Sequence, residues 1–266
     1  MPKTILITGA TDGIGLETAK MLVEQGHHVL LHGRNPDKLK TVQAQLTALG
    51  EGQEPEPYVA DLSAMREVED LAKAIATKNP KLDVLINNAG VYSTSKPITH
   101  DGLDVRFVVN AIAPYLLTQR LLPLMSSSGR VVNLSSAAQS TVNLAALKGE
   151  ARLTDSAAYA QSKLALTMWS CSLGLALKDR GLVVVAVNPG SLLGSKMVKQ
   201  AYGMEGGDLG IGAKILTRAA LSEEFADAYG RYFDNDSGRF AAPHPDALNE
   251  QNNQQVISMI EKILAN

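Results

Sequence analysis

The stretch TILITGATDGIG, residues 4–15, joins a short apolar run to a glycine-rich turn that opens a helical pattern. Apolar residues that do not alternate with polar ones predict a strand buried on both faces. Gly9, Gly13 and Gly15 then sit where the backbone must bend sharply and approach a ligand. Amide groups at the start of the following helix attract a pyrophosphate. Strand, glycine turn and helix in this order are the context that a dinucleotide-binding reading demands. The spacing is G-x-x-x-G-x-G and no G-K-[ST] follows, so an ATP-type phosphate loop is disfavoured. Gly9, Thr11, Asp12, Gly13, Ile14 and Gly15 are the candidate cofactor contacts here.

The same rhythm continues along the chain. Continuous apolar runs recur at 28–33 (HVLLHG), 58–61 (YVAD), 83–89 (DVLINNA), 130–136 (RVVNLSS) and 182–190 (LVVVAVNPG), with a seventh, edge strand at 230–236 (GRYFDND). Segments with helical spacing lie between them, such as 15–26 and 65–79, and a final helix is expected from about 245 to 264. Alternating strands and helices imply right-handed βαβ units. The fold class is α/β, a Rossmann-like doubly wound parallel sheet of about seven strands with helices on both faces. No linker or composition break divides residues 1–266, so a single domain is expected. Two segments, 139–155 and 191–208, follow carboxyl ends of strands and are candidate walls over a site.

Composition narrows the function classes. With 45% hydrophobic and 20% charged residues the 266-residue chain can bury a substantial core. A formal net charge of -2, without a basic cluster, argues against nucleic-acid partners. The lone Cys171 excludes an internal disulfide, and the five histidines form no metal-binding grouping, so no metal is expected. MPKTILITGA carries too short an apolar run for a secretory leader. No stretch approaches the roughly 20 apolar residues needed to span a bilayer. A cytoplasmic protein without a membrane partner is the expectation.

Charge at the end of the second strand selects the cofactor. An acidic residue there holds a ribose 2'-hydroxyl, whereas a 2'-phosphate calls for a cation. Gly33 stands where the acid would be, and Arg34 follows with a planar fork suited to phosphate oxygens. NADP(H) is therefore expected, with Arg34 and Asn35 as contacts; alternatively, Arg34 merely covers the start of the next helix, with Asn35 capping a helix begun by Pro36.

SAAYAQSKLA, residues 156–165, places Tyr159 four residues before Lys163, one turn apart on one helix face. A phenol has a pKa of about 10, so giving a proton to an alkoxide is easy but the reverse oxidation needs a more acidic phenol. An ammonium about 4 Å away is worth on the order of 4 kcal/mol at an effective dielectric of 20. Taken alone, such a pair is more often a packing residue and a surface charge. In 104–122, Pro114 falls inside a helical pattern and would disturb the carbonyl of Asn110, four residues earlier, which could then bind water.

TGATDGIG, NNAG at 87–90, Asn110, the NLSS strand end and YAQSK together resemble the short-chain dehydrogenase/reductase family, over Thr4 to about Asp236. The long Ser-to-Tyr interval and the YAQSKLA helix look most like its retinol-dehydrogenase-type members. The resemblance implies an oxidoreductase interconverting a carbonyl compound and its alcohol. It assigns the catalytic hydroxyl to Ser136 rather than Ser135, proton transfer to Tyr159, and tuning and ribose binding to Lys163. A water on Asn110 would complete the proton path. It also places Asp61 and Leu62 at the adenine, Asn88, Ala89 and Gly90 along the cofactor's middle, and Pro189 and Gly190 at its far end. Helices near 104–124 and 157–179 pair subunits in this family, implying a homodimer or homotetramer. The chain departs from the pattern at Gly194, where a threonine often helps hold the nicotinamide amide; Ser195 or backbone groups would have to substitute.

Val91, Tyr92, Gln139, Leu192, Leu193 and Met197 are candidate pocket residues, suggesting a moderately apolar substrate. The alternatives are a non-catalytic NADP(H)-sensing protein of the same fold and, more distantly, C=C reduction or sugar-nucleotide epimerisation.

Overall fold

Strands buried on both faces need helices above and below, and the chain supplies them in alternation. The computed structural model describes all residues except 51, 195–198, 200–202, 204 and 266; Ser195 and Met197 lie outside the described residues. Its strands are β1 (Thr4–Ile7), β2 (His28–Gly33), β3 (Glu56–Val59), β4 (Val84–Asn87), β5 (Arg130–Leu134), β6 (Val183–Asn188), β7 (Tyr232–Asp234) and β8 (Arg239–Ala241). They form one sheet in the order β3-β2-β1-β4-β5-β6-β7-β8. The seven pairings are parallel except the last. The order reverses between β1 and β4, which opens a crevice beyond their carboxyl ends.

One face of the sheet is covered by α1 (Gly13–Glu24), α2 (Pro36–Thr47) and α8 (Leu209–Leu221), which contribute Leu22, Leu39 and Leu216 to one buried cluster. The other carries α3 (Met65–Lys78), α5 (Ala113–Leu121) and α7 (Asp155–Ala176), with Leu71, Leu117 and Trp169 in a second. Short helices α4 (Val105–Phe107) and α6 (Leu144–Leu147) complete the layers, and α9 (Glu250–Leu264) packs Val256 and Ile260 into the cluster that holds α7. Tyr115 on α5 stacks edge-on against Trp169 at 5.6 Å and donates its hydroxyl to Glu261 of α9 at 2.8 Å. Part of the outward face of the 104–124 and 157–179 helices is thus packed by the chain's own C-terminal segment.

Three expectations need correction. The sheet has eight strands, and GRYFDND is not its edge: β8 pairs antiparallel with β7, Asp234 opposite Arg239. Three residues, RFA, carry no run or alternation to betray a strand. The third strand ends at Val59, so Asp61 lies in the turn beyond it. The run Val105–Leu124 is long and apolar enough to cross a membrane by length and composition; 78% of its apolar window is buried inside the protein, where it serves as core.

Pro114 also finds an accommodation that spacing alone did not reveal. Residues Val108–Ile112 form a π-turn, and the N–H of Ala113 reaches the carbonyl of Val108 five residues back. A wide turn of this kind makes room where a proline ring would collide with a regular helix.

Candidate active site

The carboxyl ends of β1, β4, β5 and β6 deliver their loops to one crevice. After β1, Asp12 caps α1 by accepting the Gly13 N–H at 2.9 Å, and Gly9 and Gly13 adopt φ of 68° and 57°, which glycine tolerates best. At Gly9 and Gly15 the turn packs too closely for a side chain, while Gly13 has open space around it. A Cβ on Gly15 would lie 2.4 Å from both Asn88 Nδ2 and the Gly9 oxygen. Asn88 holds the turn to the β4 loop, donating to the Thr8 carbonyl at 2.8 Å and the Gly9 carbonyl at 3.2 Å. The Thr8 hydroxyl accepts from the backbone N–H of Asn88 and of Ala89 at 3.0 and 3.1 Å.

His32, which sequence reasoning passed over, braces the turn from below. Its Nδ1 accepts the Gly9 N–H at 3.2 Å, so Nε2 carries the proton donated to the Ala60 carbonyl at 3.0 Å. Burial lowers its pKa to about 4, against the opposing pull of that carbonyl and of Asp61, and the ring stays neutral. The available signal was position: His32 sits next to last in a fully buried strand, where an unpaired imidazole would be costly. At the end of that strand Arg34 is exposed, and Asn35 caps α2 by accepting from Lys38 N–H at 2.9 Å. A Cβ on Gly33 would lie 2.6 Å from Thr11 Cγ2, crowding any side chain there. Asp61 Oδ1 accepts from Ser63 N–H at 2.9 Å, and Leu62 is buried beside it.

The two serines after β5 separate cleanly. Ser135 is buried, its hydroxyl shared with Thr167 at 2.7 Å, whereas Ser136 is half-buried at the crevice and accepts from the Ala138 N–H at 3.1 Å. The Ser136 carbonyl receives two donors, Gln139 Nε2 at 2.8 Å and the Tyr232 hydroxyl at 3.2 Å. Gln139, expected in the pocket, thus turns its amide onto this backbone, and Tyr232 is a further residue that sequence reasoning missed.

Thr154 caps α7 by accepting the Ala157 N–H, and one turn later Tyr159 emerges half-buried while Lys163 is 3% exposed. Lys163 Nζ lies 5.7 Å from the Tyr159 ring centre and donates to the Leu134 carbonyl at 2.7 Å. Burial lowers the lysine's pKa to about 8. Tyr92 faces the Tyr159 ring at 5.1 Å. Asn110, on the π-turn, fixes the adjacent loop by its side chain: Oδ1 accepts the Val91 N–H at 2.8 Å, and Nδ2 donates to the Val91 carbonyl and the Ser162 hydroxyl, both at 2.9 Å. Ser162 passes the link to the Tyr159 carbonyl at 2.7 Å. A buried ion pair anchors the same loop's far side. Arg106 grips Asp104 at 2.6 and 2.8 Å and also meets Asp155, which accepts the Ser93 hydroxyl at 2.6 Å.

The short chain dehydrogenase family profile matches residues 3–206. The chain belongs to the short-chain dehydrogenase family. Human retinol dehydrogenase 13 is 30% identical over 268 residues, covering 94% of this chain and 80% of the relative. Among solved structures, the promiscuous reductase LugOII, which catalyses a C1 keto-reduction in lugdunomycin biosynthesis, is 28% identical with a TM-score of 0.69, covering 88% of this chain and 96% of that one. A metagenomic short-chain oxidoreductase in complex with NADP is 28% identical with a TM-score of 0.64, covering 82% and 90%.

As a short-chain dehydrogenase, most like the retinol-dehydrogenase types, the protein is an oxidoreductase that binds NAD(P)(H). The crevice fits that cofactor. Gly13 leaves open space at the start of α1, Gly9 and Gly15 let that turn close on Ala89 and Asn88 after β4, and Gly90, Pro189 and Gly190 lie in the loops that follow β4 and β6.

Proposed function

We propose that the protein is an NADP(H)-dependent oxidoreductase interconverting a carbonyl compound and its alcohol, in a cytoplasmic setting. The observation that carries this reading is Lys163 buried one turn along from a half-buried Tyr159 at the mouth of the crevice, with the Ser136 hydroxyl at the neighbouring strand end. A buried ammonium is costly and is kept where its charge has work to do.

In reduction, Ser136 donates a hydrogen bond to the substrate oxygen as its negative charge grows. Tyr159 gives that oxygen a proton. Lys163 favours the phenolate that remains, and a water on the Asn110 carbonyl would return the proton from solvent; in oxidation the same groups act in reverse. When bound in the crevice, the dinucleotide would supply the hydride in reduction and accept it in oxidation. Choice of NADP(H) rests on Arg34, exposed beside Gly33, where an acidic side chain would crowd Thr11. The half-buried Val91 and Tyr92 support an apolar substrate, whereas Leu193 is buried against Gly212 of α8 and Leu192 is exposed at φ 53°.

The test is NADPH consumption across a panel of apolar ketones and aldehydes, wild type against Tyr159→Phe. Loss of the proton donor should lower turnover by about 10² or more while NADPH binding persists. Equal rates in the two proteins overturn the mechanism, and NADPH binding without turnover of any carbonyl points to a sensing protein instead.

A further inference from the structure

Residues 188–194, which end β6 and follow it, are held by residues farther along the chain. At Gly194 a Cβ would lie 2.7 Å from the Gly207 carbonyl oxygen and 2.9 Å from that of Glu205. Gly194 N–H donates to that Gly207 oxygen at 2.6 Å and Gly207 N–H to Leu192 at 2.8 Å, so the two segments close on each other. No threonine, nor any other side chain, fits at 194 in this conformation.

Support comes from the turn between β7 and β8. Asp236 accepts the Ser191 N–H at 2.8 Å and the Ser191 hydroxyl at 2.6 Å. Asn188 Nδ2 donates to Asp234 at 2.8 Å and to Asp236 at 2.9 Å, while its Oδ1 accepts the Gly190 N–H at 3.3 Å. Asn235 Nδ2 donates to the Pro189 carbonyl at 2.9 Å. Asn188, Pro189 and Ser191 are therefore tied to three consecutive residues, Asp234, Asn235 and Asp236, of a turn that a Ser237-to-Asp234 bond of 2.7 Å braces in its own right. Burial works to raise the two carboxyls, yet both lie below the usual carboxylate range because Ser237 and Asn188 donate to Asp234, and Ser191 and Asn188 to Asp236. They are charged acceptors at neutral pH, and charge-assisted bonds are the stronger kind.

We infer that the β7–β8 turn is a latch for the nicotinamide end of the cofactor site, with Asp236 the positioning residue that holds Asn188–Ser191 in place. The inference rests on the NADP(H) reading above. Its mark is regional: the adenine end is built from β1, β2 and their turns, to none of which the latch bonds among the described residues.

Two probes separate the ends of the site. NADPH spans all of it, and adenosine 2',5'-bisphosphate has no nicotinamide. Titrations of the full chain by fluorescence and calorimetry should show Asp236→Ala weakening NADPH by about tenfold or more, while the bisphosphate changes by less than about twofold. Asp236→Asn, which keeps an acceptor for the Ser191 N–H, should fall between, and Ser191→Ala should show a smaller loss of the same kind. These two variants carry the comparison if Asp236→Ala does not fold. Equal weakening of both probes means general damage and overturns the latch, as does unchanged NADPH affinity. A wild-type protein that binds neither probe overturns the cofactor reading, and the latch with it.

Discussion

Replacing Lys163 by methionine should leave the protein at least as stable as before at neutral pH, and inactive. The lysine is 3% exposed, and burial takes its pKa from the ordinary 10.5 to about 8. At 1.36 kcal/mol for each pH unit between those values, holding the charge inside the fold costs roughly 3 kcal/mol. Removing the side chain relieves that penalty but takes a donor from the Leu134 carbonyl, a loss of about 1–3 kcal/mol. The balance at neutral pH therefore lies between about zero and 2 kcal/mol in favour of methionine. The sign with pH follows from linkage. The folded value is below the unfolded one, so the penalty is fully present below about pH 8 and disappears as pH rises through the interval to 10.5. Across it the wild type should gain roughly 3 kcal/mol on the variant, or roughly 6–12 °C in relative Tm. Paired thermal unfolding curves by circular dichroism between those pH values measure the difference directly, and other titrating groups cancel between the two proteins. Carbonyl reduction should fall by about 10² or more in the variant at every pH. A Tm difference flat with pH, or a methionine variant far less stable at neutrality, refutes the buried charge.

Arg34→Ala should weaken NADPH by about tenfold and leave NADH unaffected, since a charged donor to the 2'-phosphate is lost; the ratio of kcat/KM values for the two cofactors reads this out. Asn110→Ala removes three hydrogen bonds, to both backbone groups of Val91 and to Ser162, while leaving Pro114 in place. It should destabilise the protein by about 2–4 kcal/mol in urea unfolding and lower kcat by more than about tenfold as Tyr92 loses its anchored neighbour, whereas a residue serving only the helix bend would leave kcat unchanged.

Much of this could be read from the sequence because the strands are short, wholly apolar and regularly spaced, and because the glycine turn and YAQSK carry their chemistry in the local order of residues. HVLLHG and RVVNL match β2 and β5 for this reason. What escaped was set by tertiary contact. β8 exists because Phe240 packs against Phe233 at 5.1 Å and Arg231 lies 3.9 Å from the Phe240 ring centre, and three residues have no pattern of their own. Tyr232, His32 and Asp236 reach backbone groups 96, 23 and 45 residues away in the chain, separations at which no spacing rule operates. The spacing to Pro114 points to the Asn110 carbonyl, yet the bonds that tie the site together come from its side chain.

The packing of α9 beneath α7 has a consequence for the order in which the enzyme matures during synthesis. Tyr159 and Lys163 leave the ribosome roughly a hundred residues before Val256 and Ile260, which belong to the same buried cluster as Trp169. The half of the sheet that receives the dinucleotide can assemble on the nascent chain, but the helix bearing the phenol and the amine has an uncovered underside until Val256 and Ile260 have emerged. Competence to bind should therefore precede competence to react.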